Sequence, residues 1–130
     1  MNFEAFNFHS SVVAGISNAG YVSTTPIQAQ AIKPIMKHRD VMGLAQTGTG
    51  KTAAFALPIL NRLVNRQPNR IRALILAPTR ELAEQIRQAI DILGRRTRLK
   101  SAAVYGGIGI NPQIQKLKHA DIVVACPGRL

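Results

Sequence analysis

Tryptophan is missing from this 130-residue sequence, and cysteine occurs once, at Cys126. One thiol cannot close an internal disulfide and does not make a metal-ligand cluster. Acidic residues are scarce, with six Asp and Glu against seventeen Lys and Arg, a formal net charge of +11. No long apolar run exists either. The longest, Ala53 to Leu60, falls far short of the roughly twenty residues that cross a bilayer. Met1-Asn2-Phe3-Glu4 has no basic stretch leading into an apolar one, so the pattern of a secretory signal is absent. These absences point to a soluble protein of a reducing compartment, most simply a cytoplasm, with no membrane contact. The excess of positive charge suits a polyanionic partner, nucleic acid first. A cut that leaves the acids elsewhere in a longer chain would give the same sign.

What is present is a globular composition, 46% hydrophobic, and a length that suits one compact domain. No repeat or low-complexity tract divides it. Ser10 to Ala19 reads as a helix capped by Ser10 or Ser11 and stopped by Gly20. A second helix starts at Thr25, with Pro26 in its first turn, and runs to about His38, distorted by Pro34. The pattern then alternates. Val41–Leu44 is a short strand, and a helix follows from Lys51 to about Asn65. Ile71–Ala77 reads as a strand buried on both faces. Leu82, Ile86, Ile90 and Leu93 recur at helical spacing up to Gly94. Ser101–Tyr105 and Ile122–Ala125 are further strands, with a helix from about Pro112 to Lys118 between them. Such alternation predicts an α/β fold, a mostly parallel sheet with helices on both faces. Ligands of such sheets bind at strand C-terminal ends, so function is expected after Leu44, Ala77, Tyr105 and Ala125.

After the first of these strands comes Ala45-Gln46-Thr47-Gly48-Thr49-Gly50-Lys51-Thr52. This is the spacing of a nucleotide phosphate loop, with Ala in the first Gly position. Its glycines let backbone N–H groups curl round a phosphate, and the following helix adds its positive end. Lys51 can reach the β and γ phosphates, and Thr52 can offer a hydroxyl to Mg²⁺.

A hydrolytic P-loop enzyme also needs an Asp at the end of a neighbouring strand. The acids are Glu4, Asp40, Glu81, Glu84, Asp91 and Asp121, and none occupies such a position. Asp40 and Asp121 begin strands, and Glu81, Glu84 and Asp91 lie on a helix. Either the protein is not a hydrolase or the sequence stops before the carboxylates. The end at Leu130, just past a strand, favours the second.

In order and spacing these segments resemble the motifs of DEAD-box ATP-dependent RNA helicases of bacterial type. Gly20-Tyr21-Val22-Ser23-Thr24-Thr25-Pro26-Ile27-Gln28 resembles the Q motif, with Phe3 as its upstream aromatic. Ala45 to Thr52 is similar to motif I, Pro78-Thr79-Arg80-Glu81-Leu82-Ala83 to motif Ia, Gly106-Gly107 to the GG motif, and Pro127-Gly128-Arg129 to motif Ib. The resemblance covers essentially the whole chain. It implies an incomplete RecA-like lobe: residues 1–30 an N-terminal helical segment with the Q motif, residues 31–130 the first part of the ATP-binding domain. The DEAD motif, motif III and a second lobe are not in the sequence.

Position by position, the resemblance implies that Gln28 reads the adenine edge, with Phe3 stacked on the base and Tyr21 beside it. Ala45, Gln46, Thr47, Gly48, Thr49, Gly50, Lys51 and Thr52 would hold the phosphates of ATP. Lys51 and Thr52 would carry the catalytic contribution, and Thr52 would reach Mg²⁺ through the nucleotide. Pro78, Thr79, Arg80, Gly106, Gly107, Pro127, Gly128 and Arg129 would contact the RNA backbone without regard to base sequence. Phe6 and Phe8 are expected to anchor the N-terminal segment, and Arg95, Arg96, Arg98 and Lys100 to form a solvated patch. Thr24 and Cys126 depart from the usual residues; a thiol is the weaker hydrogen-bond donor. Alone, these residues should bind ATP and RNA at most and hydrolyse nothing. Two other readings stay open: a different P-loop ATPase or kinase with no RNA role, and a non-enzymatic RNA-binding module that keeps a P-loop.

Overall fold

The computed structural model describes residues 2–65, 70–106 and 109–127. A 3-10 turn at Phe3–Phe6 precedes α1 (Ser10–Asn18), α2 (Pro26–Met36), α3 (Lys51–Leu63), β1 (Ala73–Leu76), α4 (Arg80–Leu93), β2 (Ser101–Val104), α5 (Ile110–Leu117) and β3 (Ile122–Ala125). The start of α1 differs from expectation. The cap is His9, whose Nδ1 accepts the Ser11 N–H at 3.1 Å, while both serines fall inside the first turn. Gly20 does end the segment, at φ +80, a conformation that costs glycine little.

The three strands are parallel in the order β1-β3-β2. Their register sorts the side chains by face. Ala73, Ile75, Ile122 and Val124 join the main core, where Ile16 of α1, Leu57 and Leu60 of α3, and Ile86 and Ile90 of α4 pack. Ala102, Val104, Val123 and Ala125 face the other way, against Leu117 and Ala120. Helices therefore cover both faces, as the alternating pattern predicts. Each fully buried Leu or Ile in this core contributes roughly 1.5–3 kcal/mol.

Two expectations fail for one reason. Ile71–Ala77 was read as a strand buried on both faces, yet Leu74 and Leu76 are 52% and 55% exposed. They pair in register with Val123 and Ala125, so they lie on the α5 face. That eight-residue helix packs over β2 and leaves β1 bare. Val41–Leu44, expected as the first strand, pairs with nothing among the described residues, and Met42 and Leu44 are each 90% exposed. A strand needs a ladder partner for its backbone groups. Between this segment and Leu74 lies a hollow of about 750 Å³.

A boundary at residue 30 falls inside α2. The N-terminal segment also shares the main core through Phe3, Phe6 and Phe8. α1 seats closely because it carries Gly15: a Cβ there would stand 1.8 Å from the Leu93 carbonyl oxygen at the end of α4.

Candidate nucleotide site and nucleic-acid rim

The phosphate-loop sequence forms a turn running into α3, with Gly50 as the residue before the helix. Gly48 and Gly50 hold φ at +84 and +86, which any residue with a Cβ adopts only at a cost. The Thr49 hydroxyl donates to the Gln46 carbonyl at 2.6 Å and braces the turn behind them. Lys51 and Thr52 begin the thirteen-residue α3, where orphan N–H groups and the helix dipole favour an anion. Thr47, Gly48, Gly50, Lys51 and Thr52 line a hollow of about 830 Å³ together with Tyr21, Thr25 and Gln28. The far wall is α4, through Leu82 and Gln85 among others. Leu82 thus differs from its expected core role: it is half-exposed, and Ala83 takes the buried position beside Ile86.

Gln28 is 3% exposed, and both ends of its amide are engaged by the protein. Its Oε1 accepts the Thr25 N–H at 3.0 Å, and its Nε2 donates to the Gly50 carbonyl at 3.2 Å. The residue expected to read a base is therefore tied here to the phosphate loop itself. Phe3 does not reach the hollow. It is buried in the core, its ring 6.1 Å from that of Tyr21, and Tyr21 and Phe55 are the aromatics that line the hollow. The upstream aromatic backs the site from behind, because the 3-10 turn points it inward.

The second group of residues follows β1 and β2. Pro78, Thr79 and Arg80 are exposed where α4 begins, and the Thr79 hydroxyl caps that helix by accepting the Leu82 N–H at 3.1 Å. The flank of α4 from Leu82 to Ala89 faces the start of α3 across one hollow. Gly106 and Pro127 are exposed after β2 and β3. Gly107, Gly128 and Arg129 lie outside the described residues.

A model of the DEAD/DEAH box helicase family matches residues 25–130. The chain belongs to that family. It is 46% identical over 130 residues to the DEAD-box ATP-dependent RNA helicase RhpA of Helicobacter pylori, covering 99% of this chain and 26% of the relative. It is 44% identical over 131 residues to CshA of Bacillus subtilis, a DEAD-box ATP-dependent RNA helicase, covering all of this chain and 26% of that protein. Among solved structures, a DEAD box protein from Methanococcus jannaschii superposes with a TM-score of 0.91 at 41% identity, over 99% of this chain and 35% of that one. The RNA helicase Prp28 from Chaetomium thermophilum, solved with ADP, gives 0.89 at 36% identity over 98% and 32%. The chain thus spans about a quarter of the length of these curated relatives.

Within this chain α4 and β2 are joined by a network that sequence reading missed. The Tyr105 hydroxyl donates to Glu84 Oε1 at 3.1 Å, and Arg87 donates to Glu84 Oε2 at 3.0 Å and to Asp91 Oδ2 at 2.6 Å. The Ser101 hydroxyl closes it on Asp91 Oδ1 at 2.5 Å. The Arg87 guanidinium holds the Glu84 carboxyl below its usual range, and burial followed by the Glu84 bond pushes the Tyr105 phenol up. The buried Gln113 side chain accepts the Tyr105 N–H at 3.0 Å and donates to its carbonyl at 2.8 Å. Opposite charges at i, i+3 and i+4 are the signal that could have marked its α4 part. Nothing local marks Tyr105 or Gln113. Asp121, by contrast, is structural. Buried at the opposite end of β3, it accepts the Lys100 N–H at 2.9 Å.

Proposed function

We propose that the protein acts as an ATP-dependent RNA helicase, using ATP binding and hydrolysis to open or remodel short RNA duplexes, and that this chain supplies part of its nucleotide-binding lobe. The observation that carries the reading is that α4 walls the hollow at the start of α3. Lys51 and Thr52 line that hollow, and Thr79 and Arg80 begin the helix that forms its far wall. Nucleotide and RNA would then lie side by side.

The phosphate loop fits a nucleotide on its own geometry. Two glycines at positive φ expose backbone N–H groups, and a Cβ on Gly50 would stand 2.4 Å from Gln28 Nε2. Lys51 would bind the outer phosphates by charge, and Thr52 would offer its hydroxyl to Mg²⁺. The metal would neutralise phosphate charge when bound. Gln28 links base-side and phosphate-side elements through Gly50, so a change at either end is felt at the other. Arg80 and Thr79 hold the RNA backbone, which carries no base information, so binding is sequence-tolerant and weakens with salt. A single cysteine and the reducing chemistry it implies fit the cytoplasm.

Nucleotide binding by fluorescence anisotropy and RNA binding by filter retention test the proposal in the intact gene product. Lys51→Ala should abolish ATP binding and leave RNA binding without nucleotide near its parent value. Arg80→Ala should weaken unrelated RNAs equally, and a strongly sequence-dependent loss would count against backbone readout. The 130-residue chain alone should hydrolyse no ATP with or without RNA; steady turnover by it would contradict the reading.

A further inference from the structure

We infer that Tyr105 is a positioning residue for Arg80, presenting its guanidinium to the RNA backbone and fixing the spacing between the segments after β1 and β2; this rests on the RNA reading above. The Arg80 guanidinium carbon lies 5.9 Å from the centre of the Tyr105 ring. A cation over an aromatic face is attracted by the ring quadrupole out to about 6 Å. The other partner of Arg80 is its neighbour Glu81, at 4.0 Å and largely in solvent, where such a pair contributes little. The ring therefore fixes where the side chain sits, while half of that side chain remains exposed to meet a ligand.

Tyr105 is suited to this because it is held at three points. Its hydroxyl is bonded to Glu84, one turn along α4 from Arg80, and Glu84 is itself clamped by Arg87. Its N–H and carbonyl are both taken by the Gln113 amide, which replaces the neighbouring strand that the edge strand β2 lacks. The ring thus bridges the start of α4 and the end of β2, immediately before Gly106. A long, flexible arginine loses rotamer freedom when it grips a phosphate, and a ring that already holds it reduces that loss.

Affinity for one single-stranded RNA oligonucleotide is measured across a salt series for the intact gene product and for Arg80→Ala, Tyr105→Leu, Tyr105→Phe and the double variant Arg80→Ala/Tyr105→Leu. Thermal unfolding of the same samples reports folding. Tyr105→Leu should weaken binding about two- to fivefold, the worth of an exposed cation–π pair. Tyr105→Phe keeps the ring face and should stay within about twofold of the parent. In the Arg80→Ala background Tyr105→Leu should add almost nothing, since its effect passes through Arg80. Additive losses, or unchanged affinity for a folded Tyr105→Leu, overturn the inference. Should Tyr105→Leu not fold, Tyr105→Phe decides: a loss as large as that of Arg80→Ala overturns it. Arg80→Ala binding RNA like the parent would instead sink the RNA reading itself.

Discussion

Gly50 shows how much a missing side chain can decide. Its φ of +86 sits where L side chains are strained, and an added Cβ would meet Gln28 Nε2 at 2.4 Å and Thr25 Oγ1 at 2.9 Å. Gly50→Ala should therefore break the Gln28–Gly50 bond as well as strain the loop. We expect ATP affinity to fall at least tenfold while the melting temperature changes modestly; equilibrium dialysis and calorimetry on the same sample check both. Gly15 is the contrasting case, a glycine whose role is packing. A Cβ would stand 1.8 Å from the Leu93 carbonyl oxygen, backbone that cannot rotate aside. Gly15→Ala should cost about 3 kcal/mol, the upper part of the overpacking range, as α1 is pushed off α4. Urea unfolding measures it, and a cost below about 1 kcal/mol would mean that α1 yields without loss. Both glycines are plain in the sequence. The phosphate-loop spacing marks Gly50 for function, but nothing marks Gly15, because its partner is 78 residues away and no local pattern reports a close helix crossing.

Among the elements, α4 carries most of the coupling, with one flank walling the nucleotide hollow and its Glu84 and Asp91, bridged by Arg87, bonded to Tyr105 and Ser101. Its helical period is visible in Ile86, Ile90 and Leu93 and its stop in Gly94, whereas the Thr79 cap shows only in the fold. The strand at Val41–Leu44 was misread. Apolar alternation reports which residues want burial, whereas pairing depends on a partner that the described residues do not supply. Phe3 was likewise read from motif position, and only the fold turns it inward behind Tyr21. The α4–β2 linkage gives a pH signature. Arg87 holds Glu84 below its ordinary range, so the native state favours the carboxylate more than the unfolded chain does. That stabilisation is complete above the unfolded carboxyl value of about 4.3 and is lost as pH falls through the lower folded value. Glu84→Gln should flatten this acid limb and lower neutral-pH stability by less than ~1 kcal/mol, since the pair is partly solvated. Thermal melts between pH 3 and 7 test it; an unaltered acid limb would remove Glu84 from the account. Gln113→Ala should cost more, about 1–3 kcal/mol, because two backbone groups of Tyr105 lose their partner. Faster amide exchange at Tyr105 is the local readout.

For the molecule as a whole, the apolar surface is distributed unevenly. One side of the sheet lies under α1, α3 and α4, while the other has only α5, seated over β2. Leu74 and Leu76 of β1 stand uncovered on that side. Two uncovered leucines on an open sheet face favour association, and among the described residues β1 adds an unpaired strand edge. The 130-residue chain by itself should therefore self-associate in spite of its charge of +11, which opposes association less as salt rises. Sedimentation velocity at rising protein and salt concentration should show mass increasing with both. Leu76→Lys, which puts a charge on the open face of β1 without touching the main core, should return the chain toward a monomer and leave its melting temperature within a few degrees. Association that persists undiminished in Leu76→Lys would move the cause from this face to the opposite sheet edge at β2, whose Ser101 and Ala103 alternate with the β3-bonded Lys100 and Val104.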